Sequence, residues 1–282
     1  MTVIEAIILA IVEGLTEFLP VSSTGHMVIA QALMGMEPTP YVKAFTVMIQ
    51  FGAILSVVVL YFKRFFRFDL PQDMWHEERK WRRGLSRFRF YFLLVVGVVP
   101  AAILGLLFND WVDEALGKVW IIALNLLIGG VVMLFIDRLI RNNHKEEVTY
   151  GKAFAIGLFQ TIAMFCPGMS RSMSTIVGGM SVGLKREVAA EFSFFLAVPT
   201  MLGAFVLEVI KFWKSDTLYI LQEHWVTLLV GNVVSFIVAM VAIQTFIKYL
   251  KRHGFAAFGV YRILVGGVIL VLMGMGVELA LV

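Results

Sequence analysis

Six apolar runs, at residues 44–62, 90–108, 120–136, 189–210, 225–247 and 255–275, dictate what this chain can fold into. A helix crosses the hydrocarbon of a bilayer with roughly 20 apolar residues, and each run is long enough to do so. With 60% of the 282 residues hydrophobic, 16% charged and a mean hydropathy of +0.86, too few polar residues remain to clothe a water-soluble surface. The expected fold class is an all-α polytopic membrane protein, a single membrane domain over 1–282.

Two further apolar stretches, 3–33 and 152–184, do not fit a plain span. Each is interrupted near its middle by a polar, proline-containing segment, Pro20-Val-Ser-Ser-Thr-Gly-His26 and Pro167-Gly-Met-Ser-Arg-Ser172. Irregular backbone at membrane depth is tolerated only where protein buries it or a wet cavity receives it. Both stretches therefore read as re-entrant helix-loop-helix hairpins, giving six transmembrane helices plus two hairpins.

Charge sets the orientation. Basic clusters at 63–89, 138–152, 185–186 and 248–252 belong on the cytoplasmic side, and the acidic or balanced loops at 109–118 and 211–224 outside. The chain threads through these assignments only if the first hairpin enters and leaves from outside and the second from the cytoplasm. A net charge of +4 and a pI near 9.2 could suggest nucleic acid, but the Lys and Arg residues cluster between spans as this topology requires, so no nucleic-acid partner is expected. The single cysteine, Cys166, excludes an intrachain disulfide. No basic segment precedes the first apolar run, and Glu5, Glu13 and Glu17 interrupt it, so the N-terminus is expected to be retained rather than cleaved as a signal peptide.

An internal repeat is visible. A shift of 147 residues lays Pro20 on Pro167, Phe18 on Phe165, Ser23 on Ser170, Phe45 on Phe192, and Glu13 on Gln160. A shift of 137 lays Leu127-Ile-Gly-Gly-Val131 on Leu264-Val-Gly-Gly-Val268. Each half, 1–147 and 148–282, then holds one hairpin and three spans. Three is odd, so the halves face opposite ways, an inverted repeat with its site expected where the broken helices meet.

Polar groups inside such segments are costly and are functional candidates. Glu13 and Glu17 lie four residues apart on one helical face, a pair that can share a divalent cation with a phosphate or else cap and pair with basic groups. Ser22, Ser23, Thr24 and His26 bring three hydroxyls and an imidazole to the start of a helix, where amides hold anions. His26 or Ser23 can serve as nucleophile, with His26 also a general acid and Ser23 also a phosphate ligand. In the second hairpin Ser170, Arg171, Ser172 and Thr175 repeat the arrangement, with a guanidinium suited to phosphate oxygens or to a salt bridge with Glu13 or Glu17. Gln50, Asn125 and Arg262 read as packing or relay groups. The pairs Gly129-Gly130, Gly178-Gly179 and Gly266-Gly267 read as sites of close helix contact. His76, His144, His224 and His253 show no metal-ligand spacing.

At Glu13-Gly-Leu-Thr-Glu-Phe-Leu-Pro-Val-Ser-Ser-Thr-Gly-His26 and at 167–175 the chain resembles the bacterial undecaprenyl-diphosphate phosphatase family, also called the bacitracin-resistance protein family, and the resemblance runs over essentially its whole length. It departs in carrying Met173-Ser174 where the family often has small residues. The resemblance implies hydrolysis of undecaprenyl diphosphate to the monophosphate, recycling the lipid carrier of cell-wall synthesis, at a site open to the outer face of the bacterial inner membrane. By position it places the family's glutamate pair on Glu13 and Glu17, its serine on Ser23, its histidine on His26 and its arginine-serine motif on Ser170, Arg171 and Thr175; the expected roles are then catalysis by Glu17, Ser23, His26 and Arg171, metal binding by Glu13 and Glu17, and substrate binding by Ser170 and Thr175 together with the neighbouring hydroxyls of Ser22, Thr24 and Ser172. It also implies Mg²⁺ or Ca²⁺ as cofactor. The partners expected are the lipid substrate and membrane lipids, with a homodimer left open. The rival reading is a transporter of polyprenyl phosphate lipids, which needs the same anion site but no serine and histidine beside two carboxylates.

Overall fold

The computed structural model describes residues 1–37, 39–66, 88–108, 118–140, 145–277 and 279, and among these the chain is helical with no strand. Most of the basic 63–89 segment and of the acidic 109–118 loop, with His76 and His144, lies outside the described residues. Helices α1 (Val3–Thr16) and α2 (Ser23–Leu33) form the first broken stretch. They are followed by α3 (Pro40–Met48), α4 (Gln50–Leu60), the short α5 (Phe62–Phe66), α6 (Arg89–Leu107) and α7 (Val119–Leu139). Helices α8 (Tyr150–Phe165) and α9 (Arg171–Ser181) form the second broken stretch, and α10 (Arg186–Lys214), α11 (Leu218–Glu223), α12 (Trp225–Leu250) and α13 (Ala256–Gly274) complete the chain.

Among the described residues six helices are long and apolar enough to cross a membrane: Pro40–Leu60, in which α3 and α4 meet at Ile49, and α6, α7, α10, α12 and α13. They coincide with the six runs expected from sequence. Local chemistry sets several starts. Thr2 and Glu5 close a capping box on α1, Thr39 caps α3 ahead of Pro40, and Thr149 caps α8. Pro100 and Pro199 sit inside α6 and α10, where a missing amide is tolerated because neighbouring helices cover the backbone.

The halves interlock. Helix α1 packs along α12 of the second half, α8 packs along α6 of the first, α7 lies against α13, and α4 fits between α10 and α12. Small residues permit these crossings. A Cβ on Gly14 of α1 would stand 2.8 Å from the Ser235 carbonyl oxygen of α12, and one on Gly157 of α8 would stand 2.2 Å from the Gly97 carbonyl oxygen of α6. The glycine pairs behave likewise at Gly129, Gly130, Gly178, Gly179 and Gly266, whereas a Cβ on Gly267 would meet nothing. The exposed faces of the long helices carry Leu, Val, Ile and Phe, the surface a lipid solvent accepts.

Candidate active site

The two helix breaks have the same local construction. Ser22 and Ser170 are the N-caps of α2 and α9, with φ of 72° and 75°, a region that side-chain-bearing residues rarely occupy. Each side-chain hydroxyl accepts from the amide three residues on, Gly25 and Met173. Serine caps held at positive φ in both breaks mark stored strain of the kind found at functional sites. The match also corrects the expected register, because the backbone equivalent of Ser170 is Ser22 and not Ser23. The proline sides of the breaks align at 147, and the helix sides have slipped by one residue.

The breaks are joined by side chains that reach across the halves. Arg262 of α13 is fully buried, and its guanidinium donates to the carbonyl oxygens of Pro20 at 3.2 Å, Asn125 at 3.1 Å and Gly168 at 2.9 Å. The Asn125 amide of α7 donates to the Pro167 carbonyl at 2.8 Å. Asn125 and Arg262 are themselves 137 residues apart, the same shift that aligns the glycine pairs, and each donates to the prolyl carbonyl of one break. A Cβ on Gly129 would lie 2.4 Å from the Arg262 guanidinium, which shows why this helix face is bare. Arg262 is thus more than packing: it ties both breaks to one point.

Around that point the carboxylates gather. Glu13 and Glu17 end α1, buried to 1% and 8% exposure. A helix C-terminus repels negative charge, so the pair needs cations. Arg171, first residue of α9, supplies one: its Nη2 stands 3.2 Å from Glu17 Oε1, and its Nη1 donates to the Ser193 carbonyl of α10 at 3.1 Å. Glu17 Oε2 accepts from the Ser23 hydroxyl at 2.6 Å. Glu13 Oε1 is buried with no hydrogen-bond partner.

Ser172 donates to the Leu19 carbonyl at 2.7 Å, across the gap between the breaks, and its hydroxyl is 2.9 Å from that of Ser170. Thr175 is fully buried beneath Arg171, its hydroxyl 2.6 Å from that of Ser193. His26, in the first turn of α2, places Nδ1 2.7 Å from the Ser22 carbonyl oxygen and Nε2 2.7 Å from the Tyr261 hydroxyl. Thr24 stands half-buried at the start of α2, outside this network. The structure thus brings Glu13, Glu17, Ser22, Ser23, His26, Ser170, Arg171, Ser172 and Thr175 to one place and leaves Thr24 at its margin.

Two residues of this hydrogen-bond network escaped the sequence reading. Ser193 is a hydroxyl inside a span, and a lone serine there gives no signal without its partner Thr175 on another helix. Tyr261 sits beside Arg262, so the deep charge marked the neighbourhood, but nothing in the chain announces its distant contact with His26.

No group of three or more His, Cys, Asp or Glu able to hold a metal occurs among the described residues. Two carboxylates with one unpartnered oxygen still suit a hard cation that takes its remaining ligands from water and phosphate oxygens, as Mg²⁺ commonly does. The charge balance agrees, since among the described residues Arg171 pairs with Glu17 and an anionic substrate adds more negative charge.

Residues 6–268 match the family described as bacitracin resistance protein BacA. The chain is 59% identical over 281 residues to an undecaprenyl-diphosphatase of Porphyromonas gingivalis, covering 99% of this chain and 100% of the relative. It is 50% identical to one of Flavobacterium psychrophilum over 96% of both chains, and 38% identical to one of Lacticaseibacillus paracasei over 96% of this chain and 98% of the relative.

Proposed function

The chain belongs to the bacitracin resistance protein BacA family, and from that premise we infer that it is an integral membrane phosphatase of undecaprenyl diphosphate. It releases inorganic phosphate and leaves undecaprenyl phosphate, recycling the lipid carrier of peptidoglycan synthesis and conferring bacitracin resistance. One observation carries the chemistry: a serine hydroxyl hydrogen-bonded to a buried glutamate that is itself paired with an arginine, at the start of two helices.

In the mechanism these residues support, Arg171 and the first amides of α2 and α9 receive the diphosphate oxygens, since helix geometry leaves those amides without an intrahelical acceptor. Glu17 takes the proton from Ser23 as its Oγ attacks the terminal phosphorus. The phosphoanhydride bond to the bridging oxygen breaks, and undecaprenyl phosphate departs. Arg171 answers the charge that spreads over the equatorial oxygens. Water then attacks the seryl phosphorus as His26 takes its proton, the Ser23 Oγ–P bond breaks with release of inorganic phosphate, and Glu17 returns its proton to Ser23 Oγ. Ser22, Ser170 and Ser172 bind and orient phosphate oxygens, Thr24 lies at the edge of the same anion site, and Thr175 with Ser193 supports Arg171 from below. A Mg²⁺ or Ca²⁺ ion held by Glu13 and Glu17 would supply Lewis-acid neutralisation of the phosphate charge.

The two broken stretches are proposed to be re-entrant hairpins of opposite orientation, and the halves 1–147 and 148–282 an inverted repeat. The exchanged packing of α1 with α12 and of α8 with α6 supports this, as do the paired serine caps and the Asn125–Arg262 equivalence. The protein is proposed to lie in the bacterial inner membrane with the site open to the periplasm, where the lipid diphosphate presents its headgroup. A lipid transporter would use Arg171 and the helix starts but has no need of a serine held on a carboxylate, which is the contact that favours hydrolysis.

The test is phosphate release from undecaprenyl or farnesyl diphosphate by detergent-purified protein, with and without EDTA, beside His26→Ala. Release that depends on metal and on His26 is the expected outcome. No release by well-folded protein overturns the assignment in favour of lipid transport.

A further inference from the structure

Along α12 the face that turns away from the bundle changes character partway down. Val226, Val233, Ile237 and Val241 are exposed and apolar, and the same stripe continues as exposed Gln244, Lys248 and Lys251. At a rise of about 1.5 Å per residue, Gln244 lies roughly 28 Å along the axis from Trp225, close to the roughly 30 Å thickness of a bilayer's hydrocarbon. The exposed indole of Trp225 marks one membrane interface, so the change at Gln244 marks the other. Arg186 donates to the His253 carbonyl at 3.0 Å, which puts the basic clusters at 185–186 and 248–252 at this same end of the bundle.

The polar end of the stripe borders a groove of about 610 Å³ beside the end of α4. Tyr61, Gln244, Thr245, Lys248 and Lys251 bring hydrogen-bond donors to it, over apolar walls of Leu60, Ile243 and Ile247. Among the described residues no carboxylate lines this groove, and neither ammonium forms a salt bridge. Glu191 of α10 lies within electrostatic reach of Lys251 but also of Arg64, so one carboxylate is shared between two cations. Lys251 borders a second cavity as well, of about 520 Å³, where the charges answer one another: Lys185 is paired with Glu146, and Arg186 stands 3.9 Å from Asp137. The surplus of positive charge therefore belongs to the first groove.

We propose that this groove binds an anionic glycerophospholipid, its headgroup phosphate held by Lys248 and Lys251 and by the side chains of Tyr61, Gln244 and Thr245. Charge and depth single out this occupant. The donors sit at the rim of the hydrocarbon, the level of a lipid phosphate, and a soluble anion would leave Leu60, Ile243 and Ile247 without an apolar partner. A lipid brings both parts, since its acyl chain runs along Val241, Ile237 and Val233 while its phosphate meets the ammonium groups. Lysines near an anionic leaflet attract its lipids in any case. The uncharged donors separate a seated headgroup from that diffuse attraction, because they act only at hydrogen-bond distance. Occupancy of the groove is read without phosphate release, so it and the phosphatase reading fail separately.

Native mass spectrometry of the full chain in detergent micelles, titrated with phosphatidylglycerol or with phosphatidylethanolamine of the same acyl chains, reads the site directly. The wild type is expected to hold phosphatidylglycerol about tenfold more tightly or better. Lys248→Gln with Lys251→Gln should reduce it to the level of phosphatidylethanolamine. Lys211→Gln with Lys214→Gln, which removes the same charge at the far end of α10, should keep it. Tyr61→Phe with Gln244→Leu leaves every charge in place and should weaken phosphatidylglycerol about threefold to tenfold, the scale of lost hydrogen bonds. Equal affinity for the two lipids, equal loss in the two lysine variants, or full affinity in the uncharged variant overturns the proposal. Farnesyl phosphate that displaces phosphatidylglycerol from the wild type at equal concentration also overturns it, in favour of a second site for a prenyl phosphate. Should the Lys248 and Lys251 variant not fold, as judged by its Tm, the wild-type lipid preference and the uncharged variant decide.

Discussion

Ser23 and Glu17 form the contact on which the chemistry turns, and their hydrogen bond of 2.6 Å predicts a particular pattern of loss. Ser23→Ala and Glu17→Gln should each lower phosphate release by at least about 10²-fold, the scale of a lost base or nucleophile. If Glu17 works through Ser23, the double variant should be no worse than the more damaged single one, because residues acting as a unit are not additive. A product of the two losses would separate them. Arg171→Lys should not substitute, because an ammonium cannot span from the Ser193 carbonyl to Glu17 as the planar guanidinium does. A fall of about 10²- to 10³-fold in kcat is expected, as for removal of an oxyanion donor. Glu13, Glu17, Ser23, His26 and Arg171 were legible in the sequence because a polar side chain in an apolar run is costly enough to demand a reason. Ser193 and Tyr261 were not, since a hydroxyl on a span is cheap and its meaning depends on a partner contributed by another helix.

At the scale of the element, the two breaks are strained serine caps, and the strain is separable from the cap. Ser170→Gly removes the side-chain cap but relaxes a φ of 75°, so its thermal stability should stay close to wild type. Ser170→Ala loses the cap and keeps the strain, and should cost about 1 kcal/mol or more in thermal unfolding. Equal losses in the two variants would show that the positive φ carries no strain. The existence of both breaks, and the helices on either side, followed from Pro20 and Pro167 and from the hydroxyls after them. Their register did not, because residue identity aligns the proline sides, while which serine turns into the cap is set by where α2 and α9 must start to reach the other half.

The whole molecule converges on Arg262, a buried guanidinium that answers three main-chain carbonyls from two breaks and a span. Arg262→Met removes the side-chain donor that the three carbonyls share and should lower stability by about 3 kcal/mol or more, read as a drop in Tm together with loss of phosphate release. A variant as stable as the wild type would mean that the breaks hold themselves together. Removal of divalent metal by EDTA should abolish release, with Mg²⁺ or Ca²⁺ restoring it. Release that persists in EDTA would leave the unpartnered Glu13 oxygen to be explained otherwise. For orientation, in a chain carrying Cys166→Ser, a membrane-impermeant thiol reagent applied from the periplasm should label Asp216→Cys and spare Lys251→Cys, and the reverse result would invert the topology.

Hydropathy alone located the six helices that, among the described residues, are long and apolar enough to span, and the two broken stretches beside them, because the bilayer filters segments by length and apolarity before any tertiary contact exists. The motifs likewise disclosed which residues carry charge at depth. Only the tertiary structure decided which of these residues meet: that Arg171 turns to Glu17, that Ser23 rests on the same carboxylate, that His26 is held by Tyr261, and that Arg262 joins the two breaks. Those contacts span from six to 242 positions along the chain, and a pattern of residue types records what each position can do but not which distant position packing will bring beside it.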